Sequence, residues 1–266
     1  GLSGTNIGNP VASPVVTTTY TLTVTDGNGF TATDNITVNV NPIPAADAIG
    51  NQIVCNGTLT DLVTFSGTGT SYSWTNNNTA IGLAANGTGN ISAFTATNAT
   101  SSPILGTITV TSVYSSGGVD CTGPTQSFTI TVNPTPVVND PADQTVCNGT
   151  STSSVIFSGT GTSYTWTNSN TAIGLAANGT GNIPSFTAAN NTTNPIISTI
   201  TVTPVYSNGG VDCAGTAQSF TITVNPAPTV NDPADQTVCN GTSTALVNFT
   251  GTATSYTWTN SNTAIG

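Results

Sequence analysis

Apolar β-branched or aromatic residues alternate with threonine in short runs along the whole chain. Examples are Tyr20-Thr21-Leu22-Thr23-Val24, Phe128-Thr129-Ile130-Thr131-Val132 and Phe220-Thr221-Ile222-Thr223-Val224. A period of two marks a strand with one face buried and the other in water. Threonine suits the wet face of such a strand. No stretch carries apolar residues at helical spacing, so the chain is predicted to be all-β. Between residues 135 and 226 the strand candidates follow in order: Val137-Val138, Gln144–Cys147, Ser154–Phe157, Tyr164–Trp166, the long segment Ile196–Tyr206, and Phe220–Val224. Gly- and Asn-rich turns separate them: Asn148-Gly149, Ser158–Gly161, Leu175–Asn182 and Ser207–Gly210. Ile183 and Phe186 are expected core anchors.

The same text returns every 92 residues. Val54-Cys55-Asn56-Gly57-Thr58 reappears as Val146–Thr150 and as Val238–Thr242, and Tyr72/Trp74 reappear as Tyr164/Trp166 and Tyr256/Trp258. A period of that length means a string of whole small domains. Asn-Pro-x-Pro marks the boundaries at Asn41–Pro44, Asn133–Pro136 and Asn225–Pro228. Proline fixes φ and restrains the residue before it, so these linkers are expected to be short and stiff. The expected organisation is residues 1–42, the C-terminal part of a cysteine-free repeat; 43–134 and 135–226, two full repeats; and 227–266, the N-terminal part of another. About seven short strands per repeat, frequent turns and a mid-domain tryptophan point to immunoglobulin-like β-sandwiches in a semi-rigid rod. A closed barrel fits stiffly linked stringing less well. Within residues 1–42, Tyr20 to Phe30 reads as a hairpin turning at Asp26-Gly27. Gly266 aligns with Gly174 and Gly82 in mid-repeat, so the chain is expected to be a window of a longer polypeptide.

Cysteine spacing follows the same rhythm. Cys55 and Cys121 lie 66 positions apart, as do Cys147 and Cys213, and Cys239 repeats the first of each pair. One disulfide per domain, Cys55–Cys121 and Cys147–Cys213, is the simplest pairing. In the chain-entropy view such a bridge stabilises a domain by roughly 4 kcal/mol. A Cys121–Cys147 bridge across the Asn133-Pro134 boundary, or reduced buried thiols, are the other readings. Structural disulfides imply an oxidising location, the periplasm or the exterior. The cysteines lie singly, which argues against a zinc site.

Composition narrows the chemistry. The chain has no Lys, Arg or His, and ten acidic residues give a net charge of −10. Ser-His and Cys-His pairs and catalytic lysines are thereby excluded. Nucleic acid meets no cationic side chain and is repelled. No apolar run is long enough for a membrane span.

Four carboxylates are the metal candidates. Asp140 and Asp143 follow a linker, and they recur as Asp232 and Asp235; carboxylates at domain junctions can hold calcium. Turn formation by Asp explains them as well, so no cofactor is expected and calcium stays the weak alternative. Tyr72, Trp74, Tyr164 and Trp166 alternate on one strand face and are expected in the core rather than stacked on sugar.

Four stretches carry a family resemblance: Gln144–Gly149, Tyr164–Asn168, the Gly-Leu-Ala-Ala-Asn-Gly-Thr-Gly-Asn-Ile run at 174–183, and Ser219–Pro226. They resemble the PKD-like, immunoglobulin-like repeats of very long surface adhesins of Bacteroidetes. The front piece Thr18–Gly29 is similar to a second repeat type of the same proteins. The resemblance implies export to the cell surface by the type IX system and roles in adhesion, including gliding. The absence of Lys and Arg departs from that family's usual composition.

The chain is therefore expected to be a non-enzymatic, extracellular, cell-surface shaft. Its partners would be neighbouring repeats, other copies in a filament, and an unknown glycan or protein ligand held by a tip elsewhere. Spacer repeats of a large secreted enzyme, or glycan- or protein-binding modules, are the alternatives.

Overall fold

The computed structural model describes residues 1–262; positions 263–266, the end of the last expected repeat segment, lie outside the described residues. Backbone contacts divide the chain into two compact units. The first is Gly1–Thr135 together with Asn208–Cys213, and the second is Pro136–Ser207 with the described residues from Ala214 onward.

The first unit opens with the hairpin β1 (Thr18–Thr25) and β2 (Thr31–Val38), in full antiparallel register from Thr18↔Val38 to Thr25↔Thr31. The Asp26 carboxylate accepts from the Asn28 and Phe30 amides, both at 2.9 Å, and this closes the turn expected there. A five-stranded sheet follows. Its strands are β3 (Gln52–Cys55), β4 (Ser71–Asn76), β5 (Asn86–Thr88), β6 (Ile104–Ser116) and β7 (Val119–Asn133), in the spatial order β3-β7-β6-β4-β5. All pairs are antiparallel except β3–β7, which is parallel and sets Cys55 beside Asn133. A second layer faces this sheet, tied by the isolated bridges Ala46↔Gly67, Leu59↔Thr95 and Val63↔Ile91.

The core lies between the layers. Trp74, Ile108, Val110, Phe128, Ile130 and Val132 come from the sheet, and Val63, Phe65, Ile81, Leu83, Ile91 and Ala96 from the segments opposite. Alternation explains the division: along β7 the inward Phe128, Ile130 and Val132 are buried, while the threonines between them stay half-wet. Trp74 lies flat on β5. A Cβ at Gly87 would come within 2.3 Å of its ring, so only glycine lets the strand approach this closely.

The second unit repeats the plan. Its strands are β8 (Gln144–Cys147), β9 (Ser163–Asn168), β10 (Asn178–Thr180), β11 (Ile196–Asn208), β12 (Val211–Ala214) and β13 (Gln218–Asn225), ordered β10-β9-β11-β13-β8 with β12 paired to β11. β8 joins β13 in parallel and sets Cys147 beside Asn225. Trp166, Ile173, Ile183, Ile200, Val202, Phe220, Ile222 and Val224 form its core. Each repeat is thus an all-β, immunoglobulin-like sandwich. The tryptophans expected in the core are there, with Trp74 and Trp166 each 7% exposed. Residues 227–262 keep the local hydrogen bonds of the repeat start, such as Gln236 with Ala245, but Trp258 is 75% exposed.

Candidate functional site

The cysteine pairing differs from the sequence expectation. Cys55 is bonded to Cys213, with Cα atoms 5.5 Å apart and 158 positions between them, while Cys121, Cys147 and Cys239 are free thiols. Strand register explains why Cys55–Cys121 does not form, and Cys213, bonded to Cys55, is no longer available to Cys147. Cys55 ends β3 opposite Asn133, the last residue of β7. Cys121 lies near the start of β7, opposite Tyr114. Twelve residues of strand between Cys121 and Asn133 span about 40 Å at roughly 3.3 Å per residue. A disulfide needs Cα atoms within about 7 Å. The constant spacing of 66 reflects the period of the array, not proximity within one repeat.

What reaches Cys55 instead is the tip of a hairpin, residues 208–213, which belongs to the first compact unit although its sequence lies in the 135–226 repeat. Gly209 and Gly210 turn the chain there with φ of +59° and +79°. A Cβ at Gly209 would sit 2.2 Å from Ile53 Cδ1, the movable end of that side chain, so the positive φ is what favours glycine there. Two asparagines lock the tip. Asn208 Nδ2 donates to Asn133 Oδ1 at 2.8 Å, and Asn133 Nδ2 donates to the Asn208 carbonyl at 3.4 Å. Asn133 is fully buried and Cys213 nearly so, at 3% exposure. Asn133 also holds the next turn, its carbonyl accepting from the Asn56 amide at 2.9 Å. One clamp thus joins the end of β3, the linker asparagine and a hairpin tip, closed by a covalent bond.

The polar half of this clamp recurs one period earlier. Asn41 Nδ2 donates to the carbonyls of Ser116 and Val119, at the tip of the β6–β7 hairpin. Cys121, half-buried, lines the cleft beside that contact together with Ala12, Ser13, Pro14 and Asn41, and no second cysteine lines it.

The acidic candidates sit elsewhere. Asp140, Asp143, Asp232 and Asp235 are all exposed. The Asp143 carboxylate accepts from the Thr221 amide at 2.6 Å, as Asn51 accepts from Thr129 at 2.8 Å in the preceding repeat. Asp143 therefore acts as a backbone acceptor that an amide side chain replaces. Among the described residues no three metal-ligating side chains come together, and no helix is long and apolar enough to cross a membrane.

No family model matches the chain, and neither does any curated protein sequence. Solved structures of multi-domain proteins align with it. The EC1-3 segment of mouse protocadherin-24 does so at 15% identity over 84% of this chain and 86% of that one, with a TM-score of 0.38. The insect immune protein hemolin aligns at 12% identity over 84% and 66%, with a TM-score of 0.32. The titin I9-I11 tandem aligns at 15% identity over 81% and 76%, with a TM-score of 0.29. At these values the alignments do not tie the chain to any of those proteins.

Proposed function

We propose that this chain is a force-transmitting segment of an extracellular adhesion protein, a shaft of tandem immunoglobulin-like repeats. The Cys55–Cys213 bond carries the reading. It closes a covalent loop across most of two repeats, and tension applied outside the loop passes through one disulfide instead of through the folded cores. Such a bond persists in an oxidising compartment, which supports placement outside the cytoplasm. Tandem copies of one domain add reach.

In this reading the chain is not an enzyme and holds no cofactor. Its partners are neighbouring repeats and other copies in a filament, with a glycan or protein ligand bound by a tip elsewhere in the polypeptide. The finer assignment, an adhesin of Bacteroidetes exported by the type IX route and serving adhesion or gliding, rests on the sequence resemblance of the 135–226 repeat. Immunogold labelling of producing cells with antibody raised against the chain tests it. Label along thin projections from the cell surface is expected; label confined to the cytoplasm or to compact secreted particles contradicts it.

A further inference from the structure

We infer that Cys147 is the docking and cross-linking site for the β-hairpin of a further copy of this repeat, the one that begins at residue 227. The inference stands on the geometry of the two repeats and not on the adhesion reading.

The acceptor half of the clamp is already formed in the second repeat. β8 lies on β13 with Cys147 opposite Asn225, as β3 lies on β7 with Cys55 opposite Asn133. The Asn148 amide donates to the Asn225 carbonyl at 2.8 Å, matching Asn56 on Asn133 at 2.9 Å. Burial then separates the two copies. Ile53, Cys55 and Asn133, which meet the hairpin, are half-buried or buried; their counterparts Thr145 and Cys147 are exposed, and Asn225 is only half-buried. The second repeat thus presents the surface that the first has covered.

The occupant follows from continuity with the clamp already seen. It carries a Gly-Gly turn that leaves room at its tip, an asparagine before the turn to pair with Asn225, and a cysteine four positions after the first glycine, as in Asn208–Cys213. The Asn41 contact to the Ser116–Val119 tip shows the same docking one period earlier, without a disulfide. The hairpin tip is therefore a recurrent element of the array, and the cysteine pair adds the covalent bond.

The chemistry balances as thiol–disulfide exchange. The Cys147 thiol and the hairpin thiol lose two protons and two electrons and form one S–S bond. A low-molecular-weight disulfide such as oxidised glutathione accepts them and is cleaved to two thiols.

The test extends the full chain in register. A copy of residues 175–226 is added after Gly266, which completes the repeat begun at 227. The protein is oxidised with oxidised glutathione, blocked with iodoacetamide, digested and mapped without reduction; the digestion uses chymotrypsin, because trypsin finds no Lys or Arg. Two bonds are expected, Cys55 to Cys213 and Cys147 to the added copy of Cys213, together with loss of the Cys147 alkylation seen in the unextended chain. A variant with valine at the added copy of Gly209 should restore that alkylation. Cys147 bonded to Cys121, Cys213 or Cys239, bonded to another chain, or still alkylated in the extended protein overturns the inference. So does absence of the Cys55–Cys213 bond. None of these results bears on where cells place the protein, so failure here is distinct from failure of the shaft reading.

Discussion

Asn98 and Asn190 stand where a richer sequence would use charge. Asn190 Nδ2 donates to the carbonyls of Asn194 and Val224, both at 2.8 Å, while its Oδ1 accepts from the Thr192 amide and hydroxyl. Asn98 makes the same set around Ser102 and Val132. Neutral amides satisfy buried backbone without the desolvation penalty of an ion pair. Asn190→Ala removes the buried donor to the Val224 carbonyl, while the Asn194 carbonyl keeps the Thr192 hydroxyl, and should destabilise the second repeat by about 1–3 kcal/mol, the cost of one buried unsatisfied group. Urea unfolding followed by tryptophan fluorescence measures this, and a loss below about 0.5 kcal/mol, the scale of an ordinary surface change, contradicts the assigned role. Nothing in the sequence singles these residues out. Their reach across to another strand depends on tertiary placement and leaves no mark in local spacing.

Strands were legible wherever the alternation was long. β1, β7, β11 and β13 lie on the runs that announce them. The stretch Ser154–Phe157 was also expected as a strand, yet it is bound at a single bridge, Val155↔Ile183. The Phe157 amide explains this: it donates to Asn182 Oδ1 at 2.9 Å and so leaves the strand ladder. The hairpin tip is the element on which the clamp depends. Gly209 has φ of +59°, and a Cβ there would meet Ile53. A β-branched residue at positive φ costs of order 1–3 kcal/mol. Gly209→Val should therefore weaken docking and lower the fraction of Cys55–Cys213 bond in a glutathione redox buffer, read by alkylation of Cys55. An unchanged fraction would show that the tip does not seat the bond. The glycines were visible in the sequence as a turn; what the turn touches was not.

At the scale of the whole molecule the disulfide map was the part of the site that sequence concealed. The five cysteines and their period were plain, and the period itself misled, because equal spacing of 66 arises whether each pair closes within a repeat or each cysteine meets a neighbour. Register decides: a parallel β3–β7 pair puts the first cysteine at one end of the sandwich and the second at the other. The consequence is mechanical. Residues 55–213 form one covalent loop, worth about 5 kcal/mol of chain entropy for a loop of this size. If Cys147 is engaged in the same way, successive loops overlap, and only the 26 positions from Cys213 to Cys239 separate the end of one loop from the next cysteine able to open another.

Single-molecule extension of the full chain, pulled from its two termini in oxidising buffer and again with reductant, tests the central claim most directly. The 158-position loop holds a contour of roughly 550 Å at about 3.3–3.6 Å per residue. With the bond intact, the fully stretched chain should be shorter by that length, and reductant should release it as added extension. A chain that reaches its full contour in oxidising buffer, with no gain on reduction, would contradict the account.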